Sequence, residues 1–219
     1  MLFLTVVGAG VIWYLSGRGD SLEDATLAGA RQTKGVVCLD VAGDFSASMD
    51  DSVDTRNSAL ALLKPFMARE MRPDDLLTTV RFANTASLTL APTRAADLTR
   101  AAEELGNVES GQYTYFIPAI KALDSGHDEE GGACARRVLV AITDGEFADD
   151  MDQLVPLVRH FDGVYLAVPD QPSGYRPRRF AADARLAAVV TEGFDDAEAL
   201  SLLYGEALAA ATGQRLAHR

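Results

Sequence analysis

Directly after the apolar run GVVCLDVA, from Gly35 to Ala42, the chain places Asp44, Ser46 and Ser48 at alternate positions of a short loop. In an extended backbone, alternate side chains project to the same side, so one carboxylate and two hydroxyls can be turned into one small volume. Carboxylate and hydroxyl oxygens are hard ligands, and a cluster of them favours Mg2+ over softer metals, with Mn2+ and Ca2+ as the other candidates. A serine- and aspartate-rich helix cap would have the same composition, so this loop alone leaves both readings open.

Two further segments place oxygen donors where they could join that loop. Thr143-Asp144-Gly145 follows the buried-type run RVLVAI, which puts Asp144 at the carboxyl end of another central strand, and Thr114 stands just before the helical stretch around Ile117 to Ile120. Other chemistries find less support. The chain has no GxxxxGK[ST] or GxGxxG phosphate loop and no GxSxG nucleophile motif. His127, His160 and His218 are far apart, which argues against a hydrolytic triad. Asp50, Asp51, Asp54 and Glu146 read as a solvated acidic rim, and the basic stretch from Arg176 to Arg179 as a surface loop.

These donors need elements to carry them. Gly35 to Ala42 predicts a buried strand, and Asn57 to Met71 a helix with Leu60, Leu63, Met67 and Met71 on one face, stopped by Pro73. Asp75 to Phe82 and Ala86 to Leu90 predict a hairpin turning at Asn84. Helices are expected from Arg94 to Leu105, with Leu98 and Leu105 inward, and from Phe116 to Leu123, the latter followed by the polar stretch SGHDEEGG. Arg137 to Thr143 reads as a parallel strand covered on both faces. Then come a helix from Met151 to Phe161, a strand from Gly163 to Val168, a last strand from Leu186 to Thr191, and a closing helix from Ala199 to Ala211 introduced by the capping pair Asp195 and Glu198. Strands alternating with helices predict an α/β fold: a doubly wound, mostly parallel sheet with one antiparallel edge strand and helices on both faces. Such sheets bind ligands at the carboxyl ends of their strands, where the strand order reverses.

With 219 residues the chain suits one sizeable domain, placed at 34–213 after a linker at 18–33 and before a tail at 214–219. A net charge of -12 disfavours nucleic acid, whose phosphates would be repelled over most of the surface. Cys38 and Cys134 each lie beside an apolar strand, so buried free thiols are the expected state, and a bridge is open to them only if their strands are neighbours. Residues 1–17 carry an uncharged run from Leu2 to Leu15 with Trp13 and Tyr14 at its far end, read as a membrane anchor ahead of a signal segment or a buried element. Which side of the membrane the domain would face is left open, since Arg18, Arg31 and Lys34 give only a thin bias.

Taken in order, Asp44-x-Ser46-x-Ser48-Met49, Thr114 followed by Ile117-Pro118-Ala119-Ile120, and Thr143-Asp144-Gly145 resemble the metal-ion-dependent adhesion site of von Willebrand factor type A (vWA) domains, over about Lys34 to Gly213. That resemblance implies direct metal contacts from Ser46 and Ser48, a direct or water-mediated one from Thr114, and water-mediated ones from Asp44 and Asp144. It implies a Mg2+-dependent binding module, not an enzyme, whose open coordination position takes an acidic residue from a protein partner. Two departures stand out: Ala47 replaces the usual glycine between the serines, and a competing register would start the motif at Asp40, with Ala42 and Asp44 where the serines belong. Only the Asp44 register supplies both hydroxyls, and Asp40 then needs a partner of its own. The alternatives are a Mg2+-dependent hydrolase or phosphoryl-transfer enzyme using Asp44 or Asp40 as nucleophile, and a structural module with a vestigial site.

Overall fold

A computed structural model describes residues 21–102, 108–109, 113–130, 133–169 and 183–218. Its strands are β1 (Ala25–Ala28), β2 (Val37–Asp44), β3 (Leu76–Phe82), β4 (Ala86–Arg94), β5 (Arg136–Ile142), β6 (Gly163–Pro169), β7 (Val190–Phe194) and β8 (Arg215–His218). Its helices are α1 (Val53–Glu70), α2 (Ile117–Glu130), α3 (Met151–Val158) and α4 (Ala197–Thr212).

The main sheet has the order β4-β3-β2-β5-β6-β7. All its pairings are parallel except β3 with β4, so the expected doubly wound sheet with one antiparallel edge strand is what forms. From β2 the chain winds outward to β3 and β4, then returns to lay β5 on the other flank of β2. The order therefore reverses between β2 and β5, and their carboxyl ends frame a crevice.

Alternation along the two central strands explains why both faces are covered. Val37, Leu39 and Val41 of β2 and Val138, Val140 and Ile142 of β5 pack with α1 and α4. Ala42, Leu139 and Ala141 point the other way, into a second core with α2 and α3. Every residue of β2 is buried, as a strand with helices on both sides must be.

Several expectations need correction. The helix expected from Arg94 to Leu105 is absent over its described part: β4 continues to Arg94, which pairs with Leu76, and a 3-10 turn spans Ala95–Asp97. Sheet pairing there, reinforced by the Ala95 amide donating to the Asp75 carbonyl at 2.8 Å, overrides a weak local helix preference. Residues 103–107 lie outside the described residues. Leu98 is nevertheless buried as expected. The last strand of the sheet begins at Val190, not Leu186, because Ala184–Leu186 form a 3-10 turn capped by the Asp183 carboxylate accepting from the Arg185 amide. Asp196, one residue later than expected, caps α4 by accepting from the Ala199 amide. Gly213 ends α4 at φ 71, the left-handed cap that glycine adopts without strain. α2 runs on through His127 to Glu130, into the stretch expected to be loop.

Segments expected to lie outside the domain belong to it. In place of a linker and a free tail, β1 pairs antiparallel with β8. Leu22 and Ala25 are fully buried. Arg31 clamps the buried Asp75 carboxylate, its Nη2 donating to Oδ1 at 2.8 Å and its Nη1 to Oδ2. The same carboxylate accepts from the amides of Val37 and Arg72 at 2.8 Å each, so it ties β1's flank, β2 and the start of β3 together. The Glu70 carboxylate accepts from the Thr26 hydroxyl at 2.6 Å and the Leu27 amide at 3.1 Å. The apolar run at residues 2–15 lies outside the described residues, and among those described no helix is long and apolar enough to cross a membrane.

The cysteines expected to be free thiols are joined: Cys38 and Cys134 form a disulfide with a Cα–Cα separation of 5.8 Å. Their proximity follows from the pairing of β2 with β5, which the Ala135 amide extends by donating to the Val36 carbonyl at 2.8 Å, just beside Cys134.

Candidate metal centre

Asp44 is the last residue of β2, and Thr143 and Asp144 follow β5, so strand pairing alone brings them together at the crevice. Asp44 is fully buried. Its Oδ1 accepts from the Ser46 amide and its Oδ2 from the Thr143 hydroxyl, both at 2.8 Å. The first bond bends the loop back, so that Ser46 leads into a 3-10 turn over Ala47–Ser52, from which α1 departs. Ala47 costs this loop nothing, because no non-glycine residue among those described has a positive φ.

The turn sets the Ser46 and Ser48 hydroxyl oxygens 3.1 Å apart, and the Ser48 hydroxyl donates to Asp144 Oδ2 at 2.7 Å. Asp144 Oδ1 accepts from the Glu146 amide at 3.0 Å, a tight turn around Gly145 at φ 76. Asp44, Ser46, Ser48 and Asp144 are thus linked in one hydrogen-bonded chain. Thr114 is tied by its backbone to the segment that follows Asp144: it bridges Phe147, and its carbonyl accepts from the Ala148 amide at 2.8 Å. Asp149 fixes that loop further by accepting from the amides of Phe116 at 2.6 Å and Ile117 at 3.2 Å. Among the described residues, the Thr114 hydroxyl makes no hydrogen bond to the other four side chains.

This donor set fits a small hard cation. At Mg2+–oxygen distances near 2.0–2.1 Å, neighbouring octahedral ligands lie about 2.9 Å apart. The Ser46–Ser48 and Ser48–Asp144 separations of 3.1 and 2.7 Å bracket that edge. The Ser48 oxygen can offer a lone pair to a metal while its own hydrogen keeps donating to Asp144. Both Asp44 oxygens are engaged by protein donors, which suits a carboxylate acting at one remove. Asp40, the start of the competing register, sits in mid-strand opposite Thr78 and Leu139, with His127 and Arg137 on its carboxylate.

Burial raises the Asp44 carboxyl above its ordinary value; the Ser46 amide and hydroxyl and the Thr143 hydroxyl pull it back, and neighbouring Asp144 pushes it up again. The folded chain therefore holds the Asp44 proton more tightly than the unfolded one. Metal-free stability falls as pH rises through the window between the unfolded value of 3.8 and the raised folded one. A cation competing with that proton should bind more weakly as pH drops through the same window, so Mg2+ titrations in an acid series should lose affinity above the ordinary carboxylate range. Affinity that stays flat until below pH 3.8 would contradict this.

Two residues beside the site have roles that the sequence alone does not assign. Thr143, which precedes Asp144, is fully buried and donates to Asp44 Oδ2. Arg56, in the first turns of α1, is only 4% exposed, and its three side-chain nitrogens have no hydrogen-bond partner among the described residues. Its guanidinium lies 4.1 Å from the Phe45 ring centroid. Burial lowers its pKa to about 10, against the opposing pull of Asp44. A cation whose folded pKa lies below its ordinary value costs stability at neutral pH, and the cost is relieved only as pH rises past about 10. Arg56→Met should therefore stabilise the domain by about 1–3 kcal/mol. It should also tighten divalent cation binding, by removing a positive charge that repels the ion. Urea denaturation at neutral pH reads the first effect, and a destabilised variant would contradict it.

No protein-family model matches the chain, and no curated protein matches it. Solved structures do match. The VWA domain of SpRpn10 superposes with a TM-score of 0.56 at 12% identity, covering 80% of this chain and 96% of that one. A von Willebrand factor type A structure from Catenulispora acidiphila gives 0.58 at 16% identity over 89% of this chain and 49% of that one, so the chain spans about half its length. The manganese-loaded TRAP protein of Plasmodium vivax gives 0.54 at 11% identity, covering 90% and 82%. At these identities the likeness is one of fold: the chain folds as a vWA domain, with a Rossmann-like layering of helices on a mostly parallel sheet.

Proposed function

We propose that this vWA-fold chain is a binding module that captures a protein partner through a divalent cation, Mg2+ in the first instance, at the crevice between β2 and β5. Ser46, Ser48 and Thr114 would hold the ion, with Asp44 and Asp144 acting through bound water. The observation that carries this reading is the hydrogen-bonded chain Asp44-Ser46-Ser48-Asp144, assembled from two strand ends at the reversal point of the sheet. A manganese-loaded relative in fold supports a divalent ion in this architecture.

When bound, the cation supplies a hard, electron-accepting position open to an outside oxygen ligand. The protein's own residues do the rest. Asp44 stiffens the loop by accepting from Ser46 and Thr143, Asp144 orients the Ser48 hydroxyl, and the exposed Asp50, Asp51 and Asp54 add negative potential that draws cations to the rim. An acidic side chain from the partner completes the coordination. Nucleophilic use of Asp44 is disfavoured, since its carboxylate is buried and both its oxygens are bonded. The run from Leu2 to Leu15 would tether the module to a membrane.

The test is a pull-down from detergent-solubilised membranes with the full chain as bait, in Mg2+ and in EDTA. We expect specific capture in Mg2+ that EDTA abolishes and that Asp44→Ala abolishes in either buffer. Capture that EDTA leaves unchanged would overturn the proposal.

A further inference from the structure

We propose that Cys38, Cys134 and His127 form a second metal site, which takes Zn2+ once a dithiol reductant has opened the Cys38–Cys134 disulfide. The site lies at the opposite end of β2 from Asp44. Six residue steps along the strand separate Cys38 from Asp44, about 20 Å at 3.3 Å per residue.

The sulfur atoms of the two cysteines and one ring nitrogen of His127 lie within 4.8 Å of one another. His127 Nδ1 is 3.8 Å from Cys134 Sγ. Zinc bonds of about 2.3 Å to sulfur and 2.0 Å to nitrogen set a tetrahedral S···N edge near 3.6 Å, so the histidine already stands at ligand distance. Only the covalent S–S bond keeps the sulfurs closer than the roughly 3.8 Å that two thiolates span on one zinc ion. A free thiol pair relaxes toward that spacing with small side-chain rotations.

The outer support of such a site is already built. His127 Nε2 lies 2.9 Å from Asp40 Oδ1, with the Thr78 hydroxyl also near it at 3.3 Å. Arg137 Nε donates to Asp40 Oδ2 at 2.6 Å, and Arg137 Nη1 donates to Asp124. The Arg137 guanidinium already donates to Asp40, whose carboxylate accepts, so His127 Nε2 is the nitrogen placed to donate to Asp40 and Nδ1 is the one that faces the sulfurs. A histidine whose far nitrogen donates to a carboxylate is the usual outer arrangement of a zinc ligand. Charges also balance: two thiolates neutralise Zn2+, and Arg137 neutralises Asp40.

Cys38 is fully buried, whereas Cys134 and the residues flanking it are partly or fully exposed, so an incoming thiolate reaches Cys134 Sγ first. Its attack breaks the protein disulfide, forms a mixed disulfide at Cys134 and releases Cys38 as thiolate. The reductant's second thiol then displaces Cys134 and leaves as a cyclic disulfide, two electrons having passed to the protein. Zn2+ binding then requires both cysteines as thiolates and releases the protons they carry. The partly exposed flank of Cys134 leaves the fourth position to water or an outside ligand.

The experiment uses the full chain, reduced with dithiothreitol, freed of it without oxygen, assayed for free thiols, and titrated with CoCl2 in saturating Mg2+. We expect two thiols per chain, then one equivalent of Co2+ giving thiolate-to-cobalt charge-transfer absorption and tetrahedral d–d bands, displaced by Zn2+. The unreduced chain should give neither signal. Asp40→Asn should weaken Co2+ about 10–100-fold, and His127→Gln should abolish the tetrahedral bands. A disulfide that resists dithiothreitol would overturn the proposal, as would a reduced chain, folded or not, that gives no thiolate–cobalt absorption. The same spectrum from His127→Gln would overturn it too. Because an oxygen-only site gives no thiolate band, the result is independent of the proposed Mg2+ centre.

Discussion

Arg31→Ala should cost the domain about 3–5 kcal/mol, because it leaves a buried carboxylate without its counter-charge. Asp75 is fully buried, and Arg31 is its ion-pair partner, reaching both carboxylate oxygens while also donating to the carbonyls of Thr33 and Gly35. The Val37 and Arg72 amides that share Asp75 belong to β2 and to the turn before β3. Losing the cation therefore loosens the sheet at its amino end as well as the flanking strand. Set against a typical total of about 5–15 kcal/mol, the loss is large. Urea unfolding of the two proteins at pH 7 measures it. The double variant Arg31→Ala with Asp75→Asn should recover part of the loss, since it buries no charge. A change below about 1 kcal/mol for the single variant would mean that the segment before β2 is the loose linker its composition suggested.

Ser48→Ala should remove most of the stabilisation that Mg2+ confers while leaving the metal-free domain nearly unchanged. Ser48 is exposed, so deleting its hydroxyl opens no cavity, but the hydroxyl spans Ser46 and Asp144 and is a proposed direct ligand. At a Mg2+ concentration 100 times its Kd, the native chain should gain about 2.7 kcal/mol by linkage. If the variant binds about 100-fold more weakly, the same concentration gives only about 0.4 kcal/mol. Thermal melts in Mg2+ and in EDTA separate the two cases. Equal shifts in both proteins would remove Ser48 from the site.

These two residues mark what the sequence made legible. The strands β2 and β5 announce themselves as largely apolar runs, because a strand covered on both faces admits a polar residue only where a partner meets it, as His127 and Arg137 meet Asp40. Period-two projection pointed to Asp44, Ser46 and Ser48, although a 3-10 turn from Ala47, not an extended loop, sets the two serine hydroxyls side by side, and strand pairing brings Asp144 to Ser48. The contribution of Arg31 was hidden, because β1 and β8 have four residues each and their pairing joins opposite ends of the chain. The disulfide was hidden for a like reason: its cysteines are 96 residues apart, and only the β2–β5 register makes them neighbours. His127 could have been placed. Phe116, Ile120, Leu123 and His127 recur at spacings of four, three and four, one inward face of α2, but the polar composition around His127 masked the period. Arg56 gave no such signal, since a buried cation without a hydrogen-bond partner looks like any surface arginine in a helix.

The central claim is that Ser46, Ser48, Thr114 and Asp144 gather around one cation at the carboxyl ends of β2 and β5. Anomalous diffraction from crystals of the oxidised chain grown in MnCl2 tests it most directly. A single strong manganese peak is expected within coordination distance of the Ser46 and Ser48 hydroxyl oxygens, with Asp44 and Asp144 reaching it through water. A peak elsewhere, or none at millimolar manganese with the loop as described, would contradict it.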